Sequence, residues 1–247
     1  MPVNAYSVTD IGRARQMNQD YVFTSQVSVG TLPNLFIVAD GMGGYKAGEF
    51  ASKCAVETVV NEVNFCSEKE PVKLLSEAIQ KANKKIRYKS TNDDNYKGMG
   101  TTLVVATFDG STLCVANVGD SRLYLCSNGS LEQITVDHSL VEEMVKMGEL
   151  ERVDARTHPD KNIITRAVGV VEQVDIDFFE VDDINDGDLV LMCSDGLTNM
   201  VDDEDIEAIV SGKGTLEEKA NKLIAAANQN GGRDNIAVVL AELLPEE

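Results

Sequence analysis

Five aspartates of this chain stand at the borders of apolar runs, where a carboxylate is held rigidly and still open to a ligand. Asp40 follows five uninterrupted apolar residues, 35–39, and is followed by Gly41, Met42, Gly43 and Gly44. Asp195 comes after the apolar run 189–193 and Ser194, and Asp120 after the strand candidate 113–118 and Gly119. Asp20 precedes Tyr21, Val22 and Phe23, while Asp234 precedes Asn235 and the run 236–240. In an antiparallel sheet the start of one strand lies beside the end of its neighbour, so the five side chains are expected to share one edge. Crowded carboxylates repel one another unless cations lie among them, and an all-oxygen donor set suits Mg²⁺ or Mn²⁺. The glycines at 41, 43 and 44 let the backbone turn and approach an ion or ligand closely.

The elements that must position these aspartates can be read from periodicity. Short unbroken apolar runs predict strands covered on both faces. Residues 3–40 read as three strands, with 12–18 as the first connection. From Ala47 the spacing becomes helical, with Ala47, Ala51, Ala55, Val59 and Val63 four apart. Pro71 opens a second helix, at a position where its missing N–H costs nothing, with Leu75, Ala78, Ile79, Ala82 and Ile86 on its apolar face. The cations in its last turns, Lys81 to Lys89, complement the helix dipole. A polar loop at 92–100 leads into strands at 101–108, 113–118, 122–126 and 131–135, joined by Asp109-Gly110 and Asn128-Gly129 hairpin signals. A short helix at 139–147 is stopped by Gly148. The charged segment 149–161 reads as irregular, either a lid or an insertion. Strands at 174–181 and 189–193, helices at 203–210 and 216–228, and a strand at 235–243 complete the chain. Helices segregated from antiparallel strands predict an α+β fold, and no composition break divides the chain.

Composition narrows the function classes. The 247 residues are 43% hydrophobic, enough for a proper core. With 22 basic against 41 acidic residues and a net charge of -19, nucleic acid and anionic membranes are not expected partners. No apolar run approaches membrane-spanning length and the N-terminus has no signal-peptide pattern. The five scattered cysteines form no C-x-x-C pair, which predicts reduced thiols in a cytoplasmic protein, with Cys54, Cys114 and Cys193 in the core.

Several signatures fail on inspection. A dinucleotide fingerprint after Asp40 would need its last glycine where Lys46 stands, and the Gly212-Lys213-Gly214 stretch lacks the upstream glycine of a P-loop. A calcium loop around Gly187 would put Ile184 at a ligand position and Cys193 where Glu belongs. His138 and His158 are the only histidines; they support no zinc site or triad, and His138 is expected to cap or pack beside a helix.

In combination, six motifs resemble the metal-dependent Ser/Thr protein phosphatases of type 2C, in the form of the bacterial branch. They are Arg15-Gln16-Met17-Asn18-Gln19-Asp20, Asp40-Gly41-Met42-Gly43-Gly44, Gly98-Met99-Gly100-Thr101-Thr102, Gly119-Asp120-Ser121-Arg122, Ser194-Asp195-Gly196-Leu197 and Gly232-Arg233-Asp234-Asn235. The resemblance covers essentially the whole chain and implies a four-layer α-β-β-α sandwich of two antiparallel sheets flanked by helices. It implies one catalytic domain over 1–247 with a flap at about 138–168 beside the active site. Asp40 would bridge two Mn²⁺ or Mg²⁺ ions, with Asp195 and Asp234 completing one and the Gly41 carbonyl and waters helping with the other. Asp20 would act through water, and Asp120 with Asp195 would form a third, weaker site. Arg15 would grip the substrate phosphate, with Arg13 as a competitor for that role, and an ordinary surface arginine as the plainer alternative. The family's direct attack by an activated water needs no serine or cysteine nucleophile.

Two departures stand out. Met42 occupies the place where many members carry a His proposed as the general acid, and a thioether has no proton to give, so the acid's identity is open. Gln19 replaces a common Glu, which predicts weaker binding of an outer metal. The implied partners are phosphoproteins, with a Ser/Thr kinase and its targets, and the chain is expected to act as a monomer. A catalytically dead binding module and a phosphatase for small phosphate esters remain as alternatives.

Overall fold

The computed structural model describes residues 2–44 and 46–245. In chain order the elements are β1 (Val3–Asp10), β2 (Asp20–Ser25), β3 (Leu35–Met42), α1 (Ala47–Phe65), α2 (Pro71–Asn92), β4 (Gly100–Thr101), β5 (Leu103–Asp109), β6 (Thr112–Val118), β7 (Arg122–Ser127) and β8 (Ser130–Gln133). There follow α3 (Leu140–Lys146), α4 (Arg152–Ala155), β9 (Asp177–Val181), β10 (Leu189–Cys193), α5 (Asp195–Thr198), α6 (Asp203–Val210), α7 (Leu216–Gln229) and β11 (Ile236–Leu243). One sheet runs β1-β11-β10-β7-β8 and the other β2-β3-β5-β6-β9, with β4 paired to β3. All these pairings are antiparallel.

Strand parity sorts the side chains into layers. On β3, Leu35, Ile37 and Ala39 join the core under α1 and α2, while Phe36 and Val38 enter the core between the sheets. On β11, Ala237, Val239 and Ala241 face that inner core, and Ile236, Val238 and Leu240 pack with residues of α6 and α7. The result is helix, sheet, sheet, helix, the expected four-layer α+β sandwich. Unbroken apolar strands are what two-sided burial demands.

The chain's own punctuation sets the connections. Asn128 and Gly129 both adopt positive φ, at 52° and 81°, the backbone a type I′ hairpin needs. Glu70 caps α2 by accepting from the N–H groups of Val72 and Lys73, and Thr215 with Glu218 forms a capping box on α7.

Three local expectations shift. The strand expected at 101–108 is interrupted at Thr102, whose hydroxyl, instead of a main-chain carbonyl, accepts the Asp40 N–H. The strand expected from 174 begins at Asp177, because Gln80 of α2 donates to the Val174 carbonyl and holds that residue in the helix-side core. Within the segment expected to be irregular, residues 152–155 form one helical turn.

Candidate active site

The site grows out of the inner core at one end of the sandwich. Asp20 and Asp40 sit directly opposite each other across β2 and β3, on the parity that carries Val22 and Val38 into the inter-sheet core. Like charges so placed destabilise a ladder, and this pair needs compensation. Asp195 starts α5 immediately beyond β10, Asp120 lies between β6 and β7, and Asp234 precedes β11. Asp40, Asp120, Asp195 and Asp234 line one cleft of about 290 Å³ with Arg15, Gln19, Gly41 and Met42. Asp20 lies behind it, 6% exposed.

A web of hydrogen bonds fixes these groups. Ser194 donates its hydroxyl to Asp20 at 2.7 Å and accepts the Ala237 N–H at 2.9 Å, coupling the two sheets at the site. The Asp40 N–H donates to the Thr102 hydroxyl, which also pairs with Ser121, and the Asp40 carbonyl accepts from the Thr101 hydroxyl. Asn199 donates to Asp195 at 2.8 Å. Asn235 donates to the carbonyls of Ile11 and Met17 and accepts the Gln19 N–H, so the connection bearing Arg15 is bound to the start of β11. Asn235, Thr101, Thr102, Ser194 and Asn199 are supporting residues to which the motifs alone assign no role; Asn199 lies outside the motifs, and the pairing of the others has no period in the sequence.

The two arginines of the first connection separate cleanly. Arg15 donates to Asp234 at 2.6 Å with its side chain half exposed at the cleft, and this bond raises its pKa further. Arg13 donates to the Asn228 carbonyl at the end of α7. His138 is neither metal ligand nor triad member: its Nδ1 accepts the Gly119 N–H and its Nε2 meets Asp177 at 3.0 Å and Arg166 at 3.0 Å. It is a buried packing histidine that holds the Gly119-Asp120 turn.

The electrostatics of the carboxylates answer whether divalent ions fit here. Burial, then the charges of Asp195 and Asp234, pushes Asp20 up to about 7. Burial and Asp234 push Asp195 up to about 6. Asp40 is raised well above the carboxylate range by burial and by Asp20, Asp195, Asp120 and Asp234, and Asp120 is raised by burial, Asp195 and Asp137. One oxygen of Asp20 and one of Asp195 are buried without a hydrogen-bond partner, a costly state that a cation relieves. Among the described residues, no three His, Cys, Asp or Glu side chains already stand in a geometry that would hold one ion by themselves, and Asp234 is turned onto Arg15. A hard cation of the Mg²⁺ kind takes one or two carboxylates and fills its remaining positions with water, so the donor set fits such ions.

A family model described as protein phosphatase 2C matches residues 12–241. The chain belongs to the protein phosphatase 2C family. Relatives of this phosphatase include the serine/threonine phosphatase stp of Listeria monocytogenes serotype 4b, 45% identical over an alignment of 240 positions that covers 95% of this chain and 93% of that protein. Among solved structures, the serine/threonine phosphatase of S. agalactiae is 38% identical with a TM-score of 0.90, covering 98% of this chain and 99% of that one. The catalytic domain of the phosphatase PstP, solved in complex with two manganese ions, is 31% identical with a TM-score of 0.87 and 99% coverage of each chain.

Proposed function

We propose that this member of the family hydrolyses phosphoserine and phosphothreonine in proteins, with Mn²⁺ or Mg²⁺ held by Asp40, Asp195, Asp234 and the Gly41 carbonyl, and Asp20 acting on them from behind. The carrying observation is the gathering of four aspartates and one arginine around a single cleft of about 290 Å³. Bound divalent ions supply Lewis acidity to a water and to the phosphoryl oxygens.

The chain's own residues do the rest. Arg15 spends one N–H on Asp234 and keeps further donors of its planar fork for a phosphoryl oxygen. The hydrogen bonds of Thr101, Thr102 and Asn199 hold Asp40 and Asp195 in fixed positions, which limits reorganisation during the reaction. Direct attack by water is favoured over a covalent enzyme intermediate because, among the described residues, the Cys and Ser side chains nearest the aspartates are not activated nucleophiles. Burial pushes the Cys193 thiol up to about 12, far from a reactive thiolate, and the buried Ser194 hydroxyl is committed to Asp20. Met42 lines the cleft and has no proton to give, so the departing alkoxide takes its proton elsewhere.

To the same reading belong a weaker third ion between Asp120 and Asp195, a single catalytic unit with residues of about 138–168 as its flap, and phosphoprotein substrates made by a Ser/Thr kinase. A monomer in the cytoplasm completes it. Asp120 and Asp195 line both the main cleft and an adjoining one that contains Arg122, Asp137 and Arg152. All five cysteines are free thiols, as suits a reducing compartment, and no described helix is long and apolar enough to cross a membrane.

The purified protein is expected to cleave p-nitrophenyl phosphate and phosphothreonine peptides with Mn²⁺ and to lose activity in EDTA. Turnover that survives chelation, or that survives Asp40→Asn, would overturn the proposal.

A further inference from the structure

Beside the carboxylate cleft lies a smaller cavity of about 170 Å³, whose lining includes Arg15, Lys161, Asn162, Met200, Arg233 and Asp234. Its one carboxylate, Asp234, is already bonded to Arg15. Lys161 reaches it from the segment after α4, and Arg233 from the turn between α7 and β11, one position before Asp234. Among the described residues neither side chain has a hydrogen bond or ion pair.

For an arginine that isolation is unusual in this chain. The other seven of the eight arginines each have a polar partner: Arg13, Arg15, Arg87, Arg122, Arg152, Arg156 and Arg166. With 41 acidic residues available, two unpaired cations lining one cavity mark a place where the strongly negative molecule turns locally positive. Burial, then Arg156 and Arg233, lowers the Lys161 pKa, against the opposing pull of Asp195. An arriving anion would relieve that crowding.

We propose that this cavity is a substrate subsite for an anionic group, a carboxylate or a second phosphoryl group, on the polypeptide next to the phosphorylated residue. The proposal rests on the phosphatase reading, because Arg15 lines both cavities and ties the subsite to the proposed phosphate position. A space of this volume is about two residue steps across at ~3.3 Å per extended residue, so the anion belongs about one to three positions from the phosphoresidue. Arg233 offers the planar donor pair that fits either oxyanion, and Lys161 adds a mobile point charge.

The test uses the full chain with Mn²⁺. A phosphothreonine peptide with alanine on both flanks is compared with peptides carrying Asp, or phosphoserine, at each of about three positions on either side. One position is expected to raise kcat/KM about fivefold, mostly through KM, and the gain should shrink as salt rises. The Asp and phosphoserine arms tell which oxyanion is preferred. Arg233→Ala, alone and with Lys161→Ala, is expected to erase the preference while p-nitrophenyl phosphate turnover is unchanged. Arg233→Glu is expected to shift the preference to Lys at that position, which a merely structural role would not do. Equal turnover of all peptides by the unaltered protein, or a preference intact in the double variant, overturns the subsite. Absence of p-nitrophenyl phosphate turnover would instead remove the phosphatase reading, and the subsite with it.

Discussion

Arg13 and Arg15 are two residues apart and chemically identical, yet their surroundings assign them different work. Arg13 closes the end of α7 through the Asn228 carbonyl, whereas Arg15 stands at the cleft beside Asp234. Arg15→Ala is therefore expected to lower kcat/KM for phosphopeptides by about one to two powers of ten, the scale of losing a charge-assisted bond to phosphate. Arg13→Ala should change activity little and show itself in a slightly lower denaturation midpoint. Steady-state kinetics of the two variants decide this, and equal losses in both would remove the special role of Arg15. The sequence left these arginines as competitors because nothing in their spacing says which way the connection turns. Asn235 decides that, by holding Ile11, Met17 and Gln19 at once.

At the scale of elements, the site depends on backbones that approach more closely than any side chain allows. A Cβ at Gly196, in the first turn of α5, would lie 1.8 Å from the Asn235 carbonyl oxygen. That contact joins the turn bearing Asp195 to the one bearing Asp234. Gly196→Ala must push the two apart, with an expected loss of about 2–4 kcal/mol by denaturant unfolding and a larger loss of activity than of fold. Gly129→Ala, in the β7–β8 turn with open space around it but φ at 81°, should cost only about 1 kcal/mol and leave activity intact. If Gly196→Ala behaves like Gly129→Ala, the close approach has no role in holding the aspartates. Strand and helix order was legible beforehand because burial imposes periods of two and 3.6 residues on the sequence. The break at Thr102, the late start of β9 and the turn of α4 were not, since each comes from a partner distant in the chain or too short to show a period.

The whole molecule carries its acid cluster as a strain that depends on pH. Asp20 is raised to about 7 and Asp195 to about 6, above the ~3.9 of an unfolded aspartate. Without divalent ions the folded chain thus keeps protons that the unfolded chain has released between about pH 4 and pH 7, so stability falls as pH rises through that window. Ions bind the deprotonated carboxylates and should reverse the trend. In EDTA, the Tm is expected to be lower near pH 7.5 than near pH 5.5. Mn²⁺ at about a hundred times its Kd should raise the Tm near pH 7.5 by about 5–10 °C, and by less at the lower pH where protons compete. A Tm in EDTA that climbs from pH 5.5 to 7.5 would mean the carboxylates do not burden the fold.

Apolar runs ending in aspartate and glycine were enough to specify the α+β class and the aspartates to watch, because two-sided burial and tight turns leave their marks in consecutive residues, while the layer order came from the family resemblance that six motifs in order carry. Three things needed the folded chain: that Asp20 faces Asp40 across a ladder, that Ser194 reaches from one sheet to Asp20 in the other, and that Lys161 and Arg233 share a cavity without partners. Each is a meeting of residues far apart in sequence. Local propensity governs what a segment becomes, while only packing fixes which segments touch.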